Sequence, residues 1–128
     1  MLEAHQQLVE NLSVPIIPIN SSVCILPLIG AIDDQRSSII EEKVFTEIGH
    51  THIQTLIIDL SGIASMEPQV IRHLMKISEG TALMGCSTVI TGLRAEVVRQ
   101  MIHSNMHFDE KTKTLGTSQQ ALKEYLRY

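Results

Sequence analysis

The chain has 128 residues and a mass of 14.3 kDa, enough for one domain that buries its own core without disulfide or metal staples. Apolar residues make up 44% and charged residues 19%, which excludes a disordered chain. Aromatics reach only 3%, too few for a single-strand nucleic-acid stacking surface, and a net charge of −4 excludes a general basic field for DNA or anionic lipid. Residues 1–67 carry nine acids and two bases, whereas residues 68–128 carry five acids and eight bases. That split suits either faces of opposite sign or scattered solvated charge.

In chain order, Leu2, His5, Leu8, Val9 and Leu12 recur with a rough helical period. A linker or helix stub is expected over 1–12 and one domain over 13–128. The N-terminus has neither the basic nor the apolar region of a signal peptide. The longest apolar stretch, Val23 to Ile32, is about half a membrane span and is broken by Pro27 and Gly30. A cytoplasmic protein without membrane or nucleic-acid partners is expected.

Pro15 and Pro18 frame Val14–Ile19, which reads as an edge strand because proline cannot donate to a ladder. Asn20-Ser21-Ser22 is a turn, and Val23–Leu28 is a second strand, completing a hairpin. Asp33 or Asp34 caps a helix marked by Ile39, Ile40, Val44, Phe45 and Ile48, and Gly49 ends it. The run Thr55–Asp59 has the length and continuity of a central strand covered on both faces. A turn over Leu60–Met66 leads to Pro68, which suits the first turn of a helix carrying Ile71, Leu74, Met75 and Ile77. Gly85 stops that helix. Thr88–Thr91 is a strand, Ala95–Met101 a short helix and Thr112–Leu115 a short strand. Ser118 caps a terminal helix with Ala121, Leu122, Tyr125 and Leu126. This β-β-α-β-α-β-α-β-α order predicts an α/β fold with a mostly parallel or mixed sheet and about four helices.

Few motifs carry chemistry. Gly80 to Ser87 has the glycine spacing of a phosphate loop, but Cys86 stands where the lysine belongs and the stretch lies at a helix end. No Gly-x-Gly-x-x-Gly occurs. His103 and His107 lack a third metal ligand, as do His50 and His52, so solvent-facing histidines and no metal or other cofactor are expected. Cys24 and Cys86 lie in apolar runs and read as small core residues. Ser61 has no nucleophile elbow around it and reads as a turn hydroxyl satisfying loose backbone groups. No catalytic residue is assigned. The stretch of interest is the crossover loop into a helix N-terminus, with Asp59, Ser61, Gly62, Ser65 and Glu67, because such loops at strand ends carry function in parallel sheets.

Four stretches together resemble the STAS domain, the fold of bacterial anti-sigma-factor antagonists. They are Leu12–Ile19, Val23–Gly30, Leu56–Gly62 and Val89–Glu96. Within that family the chain looks most like the carboxyl-terminal domains of RsbR-type stressosome scaffolds and their blue-light photoreceptor relative. The resemblance implies a non-enzymatic, oligomeric scaffold that binds other STAS domains, and a switch serine/threonine kinase that phosphorylates it. In the family the acceptor hydroxyl follows an Asp at the start of the second helix. Here those positions match Glu67 and Pro68, and a second acceptor position matches Gln100; neither Pro68 nor Gln100 can be phosphorylated. Glu67 supplies a fixed charge of −1, against roughly −1.5 to −2 for a phosphate. A phosphorylatable antagonist that binds an anti-sigma or switch kinase is the alternative, and Pro68 counts against it. A small enzyme or ligand-binding protein would need convergent titratable groups, for which Asp59, Ser61 and Glu67 are the candidates. Family members usually add an amino-terminal sensory module, so the chain is read as a STAS domain with a linker stub, from a longer protein or standing alone.

Overall fold

The computed structural model describes residues 14–109 and 112–126, so the stub expected over 1–12 lies outside the described residues. Nine elements follow in chain order: β1 (Ile17–Pro18), β2 (Val23–Ile29), α1 (Asp34–Gly49), β3 (Thr55–Gly62), α2 (Pro68–Leu83), β4 (Ser87–Thr91), α3 (Ala95–His103), β5 (Lys113–Leu115) and α4 (Ser118–Tyr125). They form one sheet in the order β1-β2-β3-β4-β5, with β1 antiparallel to β2 and every later pair parallel. The expected α/β class, the hairpin and the mixed sheet are all present.

Local chemistry sets the element ends. Asn20 Oδ1 accepts from Ser22 N and Val23 N, both at 2.8 Å, and turns the chain from β1 into β2. Asp33 caps α1 by accepting the Arg36 N–H at 2.8 Å. Pro68 opens α2, and Gly85, at φ +85°, follows its end in the left-handed region that glycine tolerates. Two boundaries differ from the sequence reading. The cap of α4 is Thr117 rather than Ser118, because Thr117 Oγ1 accepts from Gln120 N at 3.1 Å while Gln120 Oε1 accepts from Thr117 N at 3.2 Å. Strand β3 runs on through Ser61 and Gly62 instead of turning at Leu60, because it takes one residue more than β2 between the pairs Pro27–Asp59 and Ile29–Gly62, and that bulge brings Gly62 back opposite Ile29.

Strand alternation sorts the core. Cys24, Leu26 and Leu28 of β2, Leu56, Ile58 and Leu60 of β3 and Ile90 of β4 pack against α1, α2 and α3, chiefly through Ile40, Val44, Ile71, Leu74, Ile77 and Val97. On the opposite face Val23, Ile57 and Val89 pack against Ala121, with Leu122 and Tyr125 beside it. The central strand is therefore covered on both sides, as its unbroken apolar run required. Both cysteines are buried and free. Burial pushes the Cys24 thiol up to about 12 and the Cys86 thiol up to about 11, so both stay protonated at neutral pH, as small core residues would. His73 on α2 meets Glu41 Oε2 at 3.1 Å and Asp34 Oδ1 at 3.0 Å on α1, so the acidic and basic parts of the sequence touch inside the domain. His50, His52, His103 and His107 are exposed, and α3 ends at His103, so His107 does not share its face. Among the described residues no group of three metal-ligating side chains exists, and no helix is long and apolar enough to cross a membrane.

A small polar network crosses this interior. Thr81 Oγ1 donates to Ser78 O at 3.1 Å and shares a 2.8 Å bond with Thr88 Oγ1, while Ser78 bonds Thr112. Thr81 and Thr88 are both buried, so an orphaned hydroxyl there would lose its hydration without a partner. Thr81→Val should therefore lower unfolding free energy by about 1–2 kcal/mol, and Thr81→Val with Thr88→Val should cost less than the two single changes added. Urea denaturation of the three variants measures this, and strictly additive losses would contradict the network.

Candidate functional site

Parallel strands deliver their following loops to one edge of the sheet, and this edge carries the chain's polar side chains of interest. The β2–α1 loop begins at Gly30, the β3–α2 loop spans Ile63 to Glu67, and the β4–α3 loop begins at Gly92. Gly30 N donates to Gly62 O at 3.2 Å and ties the first loop to the last residue of β3.

Two groups of side chains occupy the edge. The first is built on Asp59, which points to the α4 side of the sheet, two residues after Ile57. Its Oδ2 accepts the Ser61 hydroxyl at 2.6 Å and its Oδ1 accepts the Thr91 hydroxyl at 2.8 Å from the paired position on β4. Gly92 closes against this group. It sits at φ +71°, and a Cβ there would lie 2.8 Å from both Ser61 Cβ and Ser61 N, and 3.0 Å from Asp59 Oδ1. Gly62 is restricted too, since a Cβ would come 3.0 Å from Leu28 O on the neighbouring strand.

The second group surrounds a depression of about 330 Å³ lined by Gly30, Ile32, Gly62, Ser65, Glu67 and Gln100, among others. Glu67 is the exposed residue before α2 and Pro68 the exposed first residue of that helix. The Glu67 carboxylate accepts from the Gln69 side chain and sits where the positive end of the helix favours an anion. Ser65 is exposed in the loop. Gln100, half-buried on α3, accepts the Met66 N–H through Oε1 at 2.7 Å.

The sequence-derived residues therefore divide. Asp59 and Ser61 belong to one group; Gly62, Ser65, Glu67 and Gln100 line the other, with Pro68 next to it. The convergence of Asp59, Ser61 and Glu67 considered above does not occur, because Glu67 leads out of the loop into α2 while Asp59 faces the α4 side of the sheet. Ser61 also departs from its expected role: it lies in the strand and donates to a carboxylate, instead of satisfying turn backbone. Thr91, Gly92 and Met66 were missed as members. The first two lie within Val89–Glu96, and the parity of Thr91 with Asp59 becomes visible only once β3 and β4 are paired in register.

A mixed five-stranded sheet, an amino-terminal hairpin, helices on both faces and an Asp-Leu-Ser-Gly strand end define a class of small α/β domain. The family model described as the STAS domain matches residues 14–121, and the chain belongs to that family. The chain is 32% identical over 107 residues to the RsbT co-antagonist protein RsbRD of Bacillus subtilis, covering 84% of this chain and 38% of that protein. It is 32% identical over 124 residues to a blue-light photoreceptor of Listeria monocytogenes, covering 97% of this chain and 49% of that protein. The chain thus spans less than half the length of these relatives. Among solved structures, a single-substitution variant of RsbS from Moorella thermoacetica superposes with a TM-score of 0.73 at 24% identity, covering 90% of this chain and 98% of that one. A chain from a structure described as the molecular architecture of the stressosome, a signal integration and transduction hub, gives 0.71 at 22%, covering 89% of this chain and 100% of that one.

The Asp59 group makes a direct demand on its neighbours. Gly92→Ala meets both the left-handed φ and the contacts with Ser61, and should cost about 1–3 kcal/mol. Asp59→Ala removes two bonds to a carboxylate and should cost about the same. Chemical denaturation of each variant checks both figures, and wild-type stability in Gly92→Ala would contradict the packing described.

Proposed function

We propose that this chain is a non-enzymatic STAS interaction module of the co-antagonist type, acting in the cytoplasm as a scaffold for a stress sigma factor pathway. It binds other STAS domains, its own copies or paralogues, and a switch serine/threonine kinase through the edge that carries the β3–α2 loop. The observation that carries this reading is Pro68 as the first residue of α2, with Glu67 before it. The position that the family resemblance assigns to a phosphoacceptor has no hydroxyl, and the second such position, Gln100, is an amide bonded to Met66. Negative charge at the helix start is built in through Glu67, so it needs no kinase to appear and no phosphatase to vanish.

Three further observations support the module over an enzyme. The Asp59 carboxylate is occupied by the hydroxyls of Ser61 and Thr91, so it is committed to local structure. Among the described residues lining the depression, Glu67 is the one titratable side chain. Some relatives, RsbRD among them, are named as co-antagonists of RsbT, and a structural neighbour comes from the stressosome, a signal integration and transduction hub.

The test has two arms. Size-exclusion chromatography with mass detection compares the chain alone with the chain mixed with a cognate STAS partner; a large particle is expected in the mixture, and a strict monomer in both samples would contradict the scaffold. Incubation with a cognate switch kinase and ATP, followed by phosphate mapping, should leave Ser61, Ser65 and the rest of the domain without stoichiometric phosphate. Stoichiometric phosphate on any of them would favour the phosphorylatable antagonist.

A further inference from the structure

The β3–α2 loop hangs on two buried side chains, Ile63 and Met66, with Ala64, Ser65 and Glu67 exposed around them. At its start Ile63 N donates to Leu60 O at 3.0 Å, and at its end Glu67 O accepts from Val70 N and Ile71 N inside α2. Between these points the backbone is tied by one side chain from a distant helix: Gln100 Oε1 accepts the Met66 N–H at 2.7 Å, 34 residues away in sequence. Apolar burial is non-directional, so Ile63 and Met66 fix where the loop lies without fixing its torsions. A short hydrogen bond to a backbone N–H adds the missing direction.

We propose that Gln100 is a positioning residue for the partner-facing edge: by accepting the Met66 N–H it holds the β3–α2 loop in the one conformation that presents Ser65, Glu67 and Pro68 to a docking STAS domain. The identity of what docks rests on the interaction-module reading; the latch itself does not. The side-chain chemistry fits a permanent latch. An amide oxygen is a good acceptor with no charge to titrate, and two methylenes carry it across to the loop. Pro68 works in the same direction from the other side, because its ring fixes φ at the first residue of the helix. The loop is thus held from α3 and from α2 together, by two groups that no kinase can alter.

Two variants of the full chain separate positioning from bulk. Gln100→Met keeps the length of the side chain and loses the strong acceptor; Gln100→Glu keeps an acceptor oxygen. Amide exchange followed by NMR reads the Met66 N–H, and titration with a cognate STAS domain reads affinity. Gln100→Met should speed Met66 exchange roughly threefold to tenfold, leave exchange in β3 and β4 unchanged, and weaken partner binding at least about threefold. Gln100→Glu should restore both. Unchanged Met66 exchange in Gln100→Met, acceleration spread over the whole sheet, or wild-type partner affinity in that variant would each overturn the proposal. Absence of partner binding by the wild-type chain would overturn the interaction-module reading instead, and Met66 exchange would still decide the latch.

Discussion

Parallel pairing of β2, β3 and β4 places Cys24 opposite Leu56 and Leu56 opposite Thr88, and it forces the chain to leave all three strands at one edge. The loops at Gly30, Ile63 and Gly92 are neighbours for that reason alone. The pairing in turn depends on β3, whose Leu56, Ile57, Ile58 and Leu60 are fully buried between α1–α3 on one face and α4 on the other. A strand this apolar cannot sit at a sheet edge, so the crossovers on either side of it become helices and the loops that follow gather at one rim. The polar groups of the rim are held to that frame by Asp59, which bonds Ser61 along its own strand and Thr91 across the ladder.

At the two positions where the family resemblance places a phosphoacceptor, Pro68 and Gln100, the rim offers no hydroxyl. Asp59 accepts the Ser61 and Thr91 hydroxyls, Glu67 places a carboxylate at the start of α2, Pro68 has no hydroxyl, and the Gln100 amide oxygen accepts from the loop backbone. A phosphate at the same helix start would bring more charge and three strong acceptors, and its effect would come and go with the enzymes that add and remove it. A carboxylate side chain there brings less charge than a phosphate and is not added or removed by an enzyme.

Much of the fold could be read from the residues. The unbroken run Thr55–Asp59 fitted a strand covered on both faces, Pro68 suited the first turn of a helix, and Gly85 marked a helix end. Pro15 and Pro18 correctly placed the first strand at the sheet edge, though it is pared to Ile17–Pro18. The end of β3 was misplaced because Ser-Gly is a turn signal locally, whereas the register shift opposite Ile29 extends the ladder over it. The cap of α4 slipped by one because Thr and Ser are adjacent and only the reciprocal bond to Gln120 distinguishes them. At the site, Glu67, Pro68 and Gln100 were visible as residue types. Their relation was not, since the bond between Gln100 and Met66 joins positions whose nearness depends on how α3 packs beside α2.

Whether this rim is the surface at which partners meet the domain is tested most directly by hydrogen exchange of the chain, free and in complex with a cognate STAS domain. Protection concentrated in residues 29–32, 62–68 and the first turns of α3 is the predicted result. Protection confined to α4 and β5, with exchange at the rim unchanged, would contradict it.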